Sequence, residues 1–168
     1  MYKLLLITAL FCGFANAATL DEKLAVFEPY LGTWEANFSD DPNKPVIDVG
    51  KWERALNGTA IRTIHSINQG EYGGESLIFW DKGKQKLVFY YFTTAGFYTS
   101  GELEVTSPTE FVAYEEVTGN ENGITRVKST SSFKDNSWVI STSYLKNNEW
   151  TKPESRTYRK SDKQVIFK

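Results

Sequence analysis

The sequence predicts an all-β fold, a single antiparallel up-and-down barrel of about ten strands. Three observations predict it. Ten short segments of alternating, β-branched or aromatic character (31–38, 46–56, 59–69, 72–81, 85–94, 97–105, 109–118, 123–133, 137–146 and 149–159) follow one another at even spacing. The links between them are too short for crossover helices, so neighbours pair antiparallel. Five Trp, nine Tyr and eleven Phe supply the bulky rings with which a small barrel fills or lines its interior. Closing such a meander removes its free edges and creates a lumen.

Residues 1–17 read as an export signal. Lys3 gives the positive start, Leu4 to Phe14 the apolar run, and Ala15-Asn16-Ala17 the small-x-small cleavage pattern. The run is shorter than the roughly 20 apolar residues a membrane span needs. The expected destination is the periplasm or the exterior, with no transmembrane segment after signal removal. Cys12 leaves with the signal, so disulfides and thiolate metal sites are excluded. One barrel domain follows over 18–160, then a tail over 161–168. Without Lys3 the 19 basic residues become 18 against 21 acidic ones, a net charge of −3. No basic stripe marks a nucleic-acid partner.

The domain opens with a short amphipathic helix over 20–28. Thr19 and Glu22 fit a capping box, and Leu20, Leu24, Phe27 and Leu31 recur at helical spacing. Pro29 discourages continuation. So short a helix needs a surface to dock on, and it is expected to plug one barrel end. Asn57-Gly58 is a two-residue hairpin signal, and Asp81 to Lys84, Asn120 to Gly123, Asp135-Asn136 and Asn147-Asn148 mark further turns. Ser39 to Pro45, the longest loop, belongs at the mouth. Gly73-Gly74 suggests a bulge or sharp coil, and Pro153 a bulge or a split in the last strand. Period-2 alternation turns Leu103 and Val105 inward, Glu102 and Glu104 outward, and puts Trp138, Ile140, Thr142 and Tyr144 on one face. Strands 72–81 and 85–94 are apolar on both faces, so their outer faces need cover from the helix or a partner subunit.

Gly32-x-Trp34 at the start of the first strand, just after the helix, resembles the calycin superfamily of lipocalins and fatty-acid-binding proteins. That resemblance implies that Trp34 closes one barrel end with a basic residue of the last strand across it, Arg156 or Arg159. Leu31 to Glu35, Trp52 to Gly58, Gly74 to Asp81 and the closing Tyr158-Arg159 together resemble the DUF1579-like, lipocalin-like group of exported bacterial proteins of unknown function. That group implies an antiparallel barrel and a lipophilic ligand, and no agreed reaction.

Several residues are candidates for chemistry. His65, the only histidine, alternates with Ile61 and Ile67 and points inward; it suits proton transfer or, as a minor possibility, a haem iron. A zinc site needs three or four ligands and finds too few here. Arg54 shares a face with Trp52 and needs a partner inside a barrel: a ligand carboxylate, or Glu115 or Glu154. Tyr91, Thr99 and Tyr144 join apolar bodies to polar tips, as in a pocket wall that orients a ligand. Glu53, Glu115 and Glu116 show no sign of converging, and no nucleophile elbow, phosphate loop or dinucleotide fingerprint is present. No catalytic residue is assigned and no cofactor is required.

Three functions follow. The first is binding of a small, mostly apolar molecule in the lumen, with Trp52, Arg54, His65, Tyr91, Thr99 and Tyr144 as candidate contacts. The second is an isomerase or cyclase using His65 or an inward Glu as general base. The third is a filled barrel acting on an envelope component through an exposed apolar patch over strands 72–94. A lumen above about 300 Å³ separates the first from the third.

Overall fold

The structure is a computed structural model that describes residues 19–118 and 122–168. The export signal, Cys12 and the cleavage pattern lie outside the described residues, as does part of the Asn120–Gly123 turn. A 3-10 helix, Glu22–Tyr30, precedes the strands β1 (Gly32–Asn37), β2 (Ile47–Ala55), β3 (Ala60–Ile67), β4 (Tyr72–Asp81), β5 (Lys86–Thr93) and β6 (Tyr98–Ser107). The rest are β7 (Glu110–Glu116), β8 (Ile124–Lys134), β9 (Ser137–Lys146), β10 (Glu149–Trp150) and β11 (Glu154–Lys160). Each neighbour in chain order from β1 to β9 pairs antiparallel, β9 pairs β11, and β11 returns to β1. β10 and β11 both pair with β9 and share one position in the wall, split at Pro153, so the sheet closes as a ten-strand barrel. Ser39 to Pro45 joins β1 to β2 at the end opposite the helix, the mouth.

The helix plugs the other end, with a period that alternation alone does not reveal. Leu24, Phe27 and Tyr30 are fully buried and recur every three residues, the repeat of a 3-10 helix, which eclipses side chains at i and i+3. The short helix expected over 20–28 is present, as a 3-10 helix whose bounds shift to Glu22–Tyr30. The cap is corrected, from Thr19 to Asp21, whose Oδ1 accepts from Lys23 N at 2.9 Å. Pro29 lies inside the last turn. Tyr30 Oη donates to Thr109 O and Ser131 O, at 2.8 and 3.1 Å, which ties the plug to the wall. Phe27, Tyr30, Trp52, Phe111 and Trp138 pack with ring centroids 5.0–6.2 Å apart, several edge-to-face.

Trp34 is fully buried beneath this cluster, and its Nε1 donates to Tyr30 O at 2.6 Å. The basic residue across it is Lys160, neither Arg156 nor Arg159. Lys160 Nζ lies 3.8 Å from the Trp34 ring and donates to Leu31 O at 2.8 Å. Register decides this, because Trp34 pairs Lys160 directly and period 2 turns Arg159 to solvent. Arg156 shares the inward parity of Lys160 but lies near the mouth, 5.9 Å from the Phe38 ring and bonded to Phe38 O.

The turns show where local chemistry meets packing. Asp135-Asn136 and Asn147-Asn148 take positive φ at both positions, as two-residue hairpins need. Asn57-Gly58 does not make so tight a turn. Leu56, Asn57 and Gly58 all have positive φ, and Thr59 N bonds Leu56 O. The cause is the N-terminal segment: Gly58 O accepts from Asp21 N at 2.9 Å, and a Cβ on Gly58 would collide with the Thr19 carbonyl.

Gly73-Gly74 is no bulge, since β3 and β4 pair without interruption there. The register shifts lie between Val105 and Ser107 in β6 and between Ile124 and Arg126 in β8. Val105 lies just before the first of these, pairs with the inward Phe111 and keeps its inward parity, but it sits at the rim and is 46% exposed. The helix sits at the barrel end and does not cover the outer faces of β4 and β5. Their rings cover one another instead, Phe79 stacked on Tyr90 and Phe92 tilted on Tyr98, with Phe92, Phe97 and Tyr98 more than half exposed. The tail forms no strand. It lies along the outside of the wall, where Ile166 N donates to Ser66 Oγ at 3.1 Å and Lys163 pairs with Glu35 at 3.0 Å. Among the described residues no helix is long and apolar enough to cross a membrane.

Candidate functional site

Inward parity carries two kinds of side chain into the lumen, in two halves. The half above the plug is apolar. A cavity of about 180 Å³ opens there, walled by Trp52, Ile78, Phe89, Leu103, Phe111 and Trp138. Thr63, Ser76, Ser129 and Ser131 contribute hydroxyls to its sides. Glycine makes the space: a Cβ on Gly101 would strike the Phe89 ring, and one on Gly74 the Tyr91 ring. Trp138 Nε1 is buried there with no hydrogen-bond partner. An orphaned donor in a mainly apolar wall is a place for a ligand acceptor or a water.

The mouth-side half is polar. Asp48 is 3% exposed and follows the parity of Gly50 and Trp52 on β2. Its Oδ2 accepts from Tyr158 Oη at 2.6 Å, and its Oδ1 lies 2.7 Å from His65 Nδ1. A carboxylate only accepts, so Nδ1 carries the proton and Nε2 of a neutral ring is left to accept. Tyr91 Oη sits 2.6 Å from Nε2 and 3.2 Å from Tyr72 Oη. Burial pushes the phenols of Tyr91 and Tyr158 upward, with Tyr72 adding to the first and Asp48 to the second, so both stay protonated. The chain Tyr158–Asp48–His65–Tyr91–Tyr72 is thus an oriented imidazole with a phenol at its outer nitrogen, an arrangement able to hold or pass one proton.

Glu115 faces the lumen one inward position beyond Ala113 of the cavity wall. Burial raises its carboxyl above the usual range, and the Thr99 hydroxyl beside it pulls the other way. That hydroxyl makes no hydrogen bond of normal geometry, so its hold on Glu115 is weak. Tyr144 joins the same region; burial raises its phenol, and Glu154 and Glu115 add to the rise.

The sequence-derived candidates separate accordingly. His65 and Tyr91 are bonded, Thr99 pairs Tyr91 in register, and Tyr144 reaches Glu115 through Val127, which pairs with both. Trp52 belongs to the apolar half. Arg54 is not among them: it pairs with Glu28 of the plug, and neither Glu115 nor Glu154 is its partner. Glu53 turns outward to Lys51 and Arg62, and Glu116 to Arg126. Asp48, Tyr72 and Tyr158 escaped notice, although parity with Gly50 and Trp52 already marked Asp48 as an inward carboxylate. Haem does not fit, because both His65 nitrogens are engaged and about 180 Å³ does not admit a porphyrin. Among the described residues no group of three or more His, Cys, Asp or Glu could hold a metal ion. No family model matches the chain, and no curated protein matches it.

Proposed function

We propose that this chain is an exported, lipocalin-like protein that binds a small, mostly apolar molecule inside its barrel. The observation that carries this is the cavity of about 180 Å³, apolar on most of its wall and bordered on one side by polar side chains. The volume also sets the ligand size. It falls short of the roughly 300 Å³ that would by itself separate ligand binding from a filled barrel, but it is comparable to apolar cavities of about 150 Å³ that take up benzene. The ligand is therefore compact, on the order of ten non-hydrogen atoms. Burying roughly 250 Å² of its surface at about 25 cal/mol per Å² gives about 6 kcal/mol, or tens of micromolar at best. The signal-like residues 1–17 and the resemblance to the DUF1579-like exported group support export.

Native mass spectrometry of protein recovered from its own compartment tests this. A retained compact guest, with a mature chain beginning at Ala18, is the expected result. An empty barrel that ignores a panel of compact apolar compounds overturns the binding, and an uncleaved cytoplasmic chain overturns the export.

A second reading has one observation in its favour, the exposed aromatic rows Phe79–Tyr90 and Phe92–Tyr98 on the outer wall. In that reading the barrel is a scaffold and the outer rings meet an envelope component. Replacing Phe92 and Tyr98 by Ser would then abolish function while leaving guest binding intact.

A further inference from the structure

We propose that the polar end of the lumen, built from Glu115, Thr99, Tyr91 and Tyr144, takes the ammonium group of a compact amine whose hydrocarbon body fills the cavity below. This rests on the lumen-binding reading and adds the chemical class of the guest. Glu115 lies one inward step, roughly 7 Å along the strand, beyond the Ala113 wall. A guest seated among Trp52, Phe89 and Trp138 reaches it with a two-carbon arm.

The charge inventory selects the sign of the guest. Among the described residues, the ionisable groups with inward parity in this half are Asp48, Glu115 and Glu154 against His65 and Arg156, with Lys146 and Glu149 paired with each other at the exposed rim. Asp48 is already held by Tyr158 and His65. Arg156 is engaged at the mouth by Phe38 O and, at 3.8 Å, by Asp40. Burial is what acts on Glu115, and among the described residues no cation offsets it. A buried carboxyl without a counter-charge is costly, and an ammonium beside it relieves the cost. A carboxylate guest would instead meet like charge. The phenol oxygens of Tyr91 and Tyr144, both within electrostatic reach of Glu115, can also accept an N–H. The unpartnered Thr99 hydroxyl can accept an N–H.

Isothermal titration calorimetry of the intact mature protein at neutral pH, with 2-phenylethylamine, 2-phenylethanol and 3-phenylpropionate, tests this. The amine should bind at least tenfold tighter than the carboxylate and tighter than the alcohol. Glu115→Gln should cut amine affinity about tenfold and leave the alcohol within twofold. An alcohol that binds while the amine is no tighter than the carboxylate overturns the amine proposal and leaves lumen binding standing. An amine preference that survives Glu115→Gln also overturns it. If none of the three binds, the lumen-binding reading falls and the amine proposal with it. The wild-type series decides even where the variant does not fold.

Discussion

Asp48 holds two donors, Tyr158 Oη and His65 Nδ1, in a place water does not reach. Removing one member of such a set leaves the others buried and unsatisfied, which costs more than the bond itself contributes. Asp48→Leu should therefore lower stability by about 2–4 kcal/mol in urea unfolding, and His65→Gln, which keeps donor and acceptor capacity, by clearly less. Glu115 works in the opposite sense. Its folded-state carboxyl titrates above its unfolded value, so the folded state holds its proton more tightly. That contribution is complete below the unfolded value of about 4.3 and is lost as pH rises through the raised value. Glu115→Gln should thus be more stable than wild type near pH 8, and the gap should close below about pH 4. Thermal melts across that range check it. Asp48 could have been found from alternation along β2, because an acidic residue in step with Trp52 must face the core. The role of Lys160 could not, since it depends on which residue of β11 lies opposite Trp34, a register set by barrel closure rather than by either strand.

At the scale of elements, the strands were legible because alternation and turn chemistry agree over most of the chain. Asp135-Asn136 and Asn147-Asn148 fold as their residue types demand. The discrepancies arise where one element leans on another. Asn57-Gly58 widens to receive the segment at Thr19 and Asp21, and the plug winds as a 3-10 helix because the floor accepts Leu24, Phe27 and Tyr30 in one row. Tyr30 fastens that row to the wall with one hydroxyl shared between two carbonyls. Tyr30→Phe should cost about 1–2 kcal/mol in urea unfolding and loosen the plug, with amide exchange at Lys23 to Glu28 rising first. Gly74→Ala places a Cβ against the Phe92 carbonyl and the Tyr91 ring. It should cost about 1–3 kcal/mol and part Tyr91 from His65, seen as a shift of the His65 ring resonances.

For the whole molecule, the even spacing of ten segments and their short links were enough to indicate a closed antiparallel wall, and β11 does return to β1. How much of the interior stays open was not legible. It depends on whether inward rings meet across the lumen, and Gly74 and Gly101 decide that by letting Tyr91 and Phe89 lie against the neighbouring strands β4 and β6. The outcome is a lumen divided between an apolar cavity and a polar end, small enough to exclude long chains. The most direct measurement is an NMR titration of the protein with 2-phenylethanol, following the five indole N–H signals. Saturable shifts of Trp52 and Trp138, with the exposed Trp150 unmoved, are the predicted result. Silence at Trp52 and Trp138, or shifts confined to the outer wall, would contradict a guest-binding lumen.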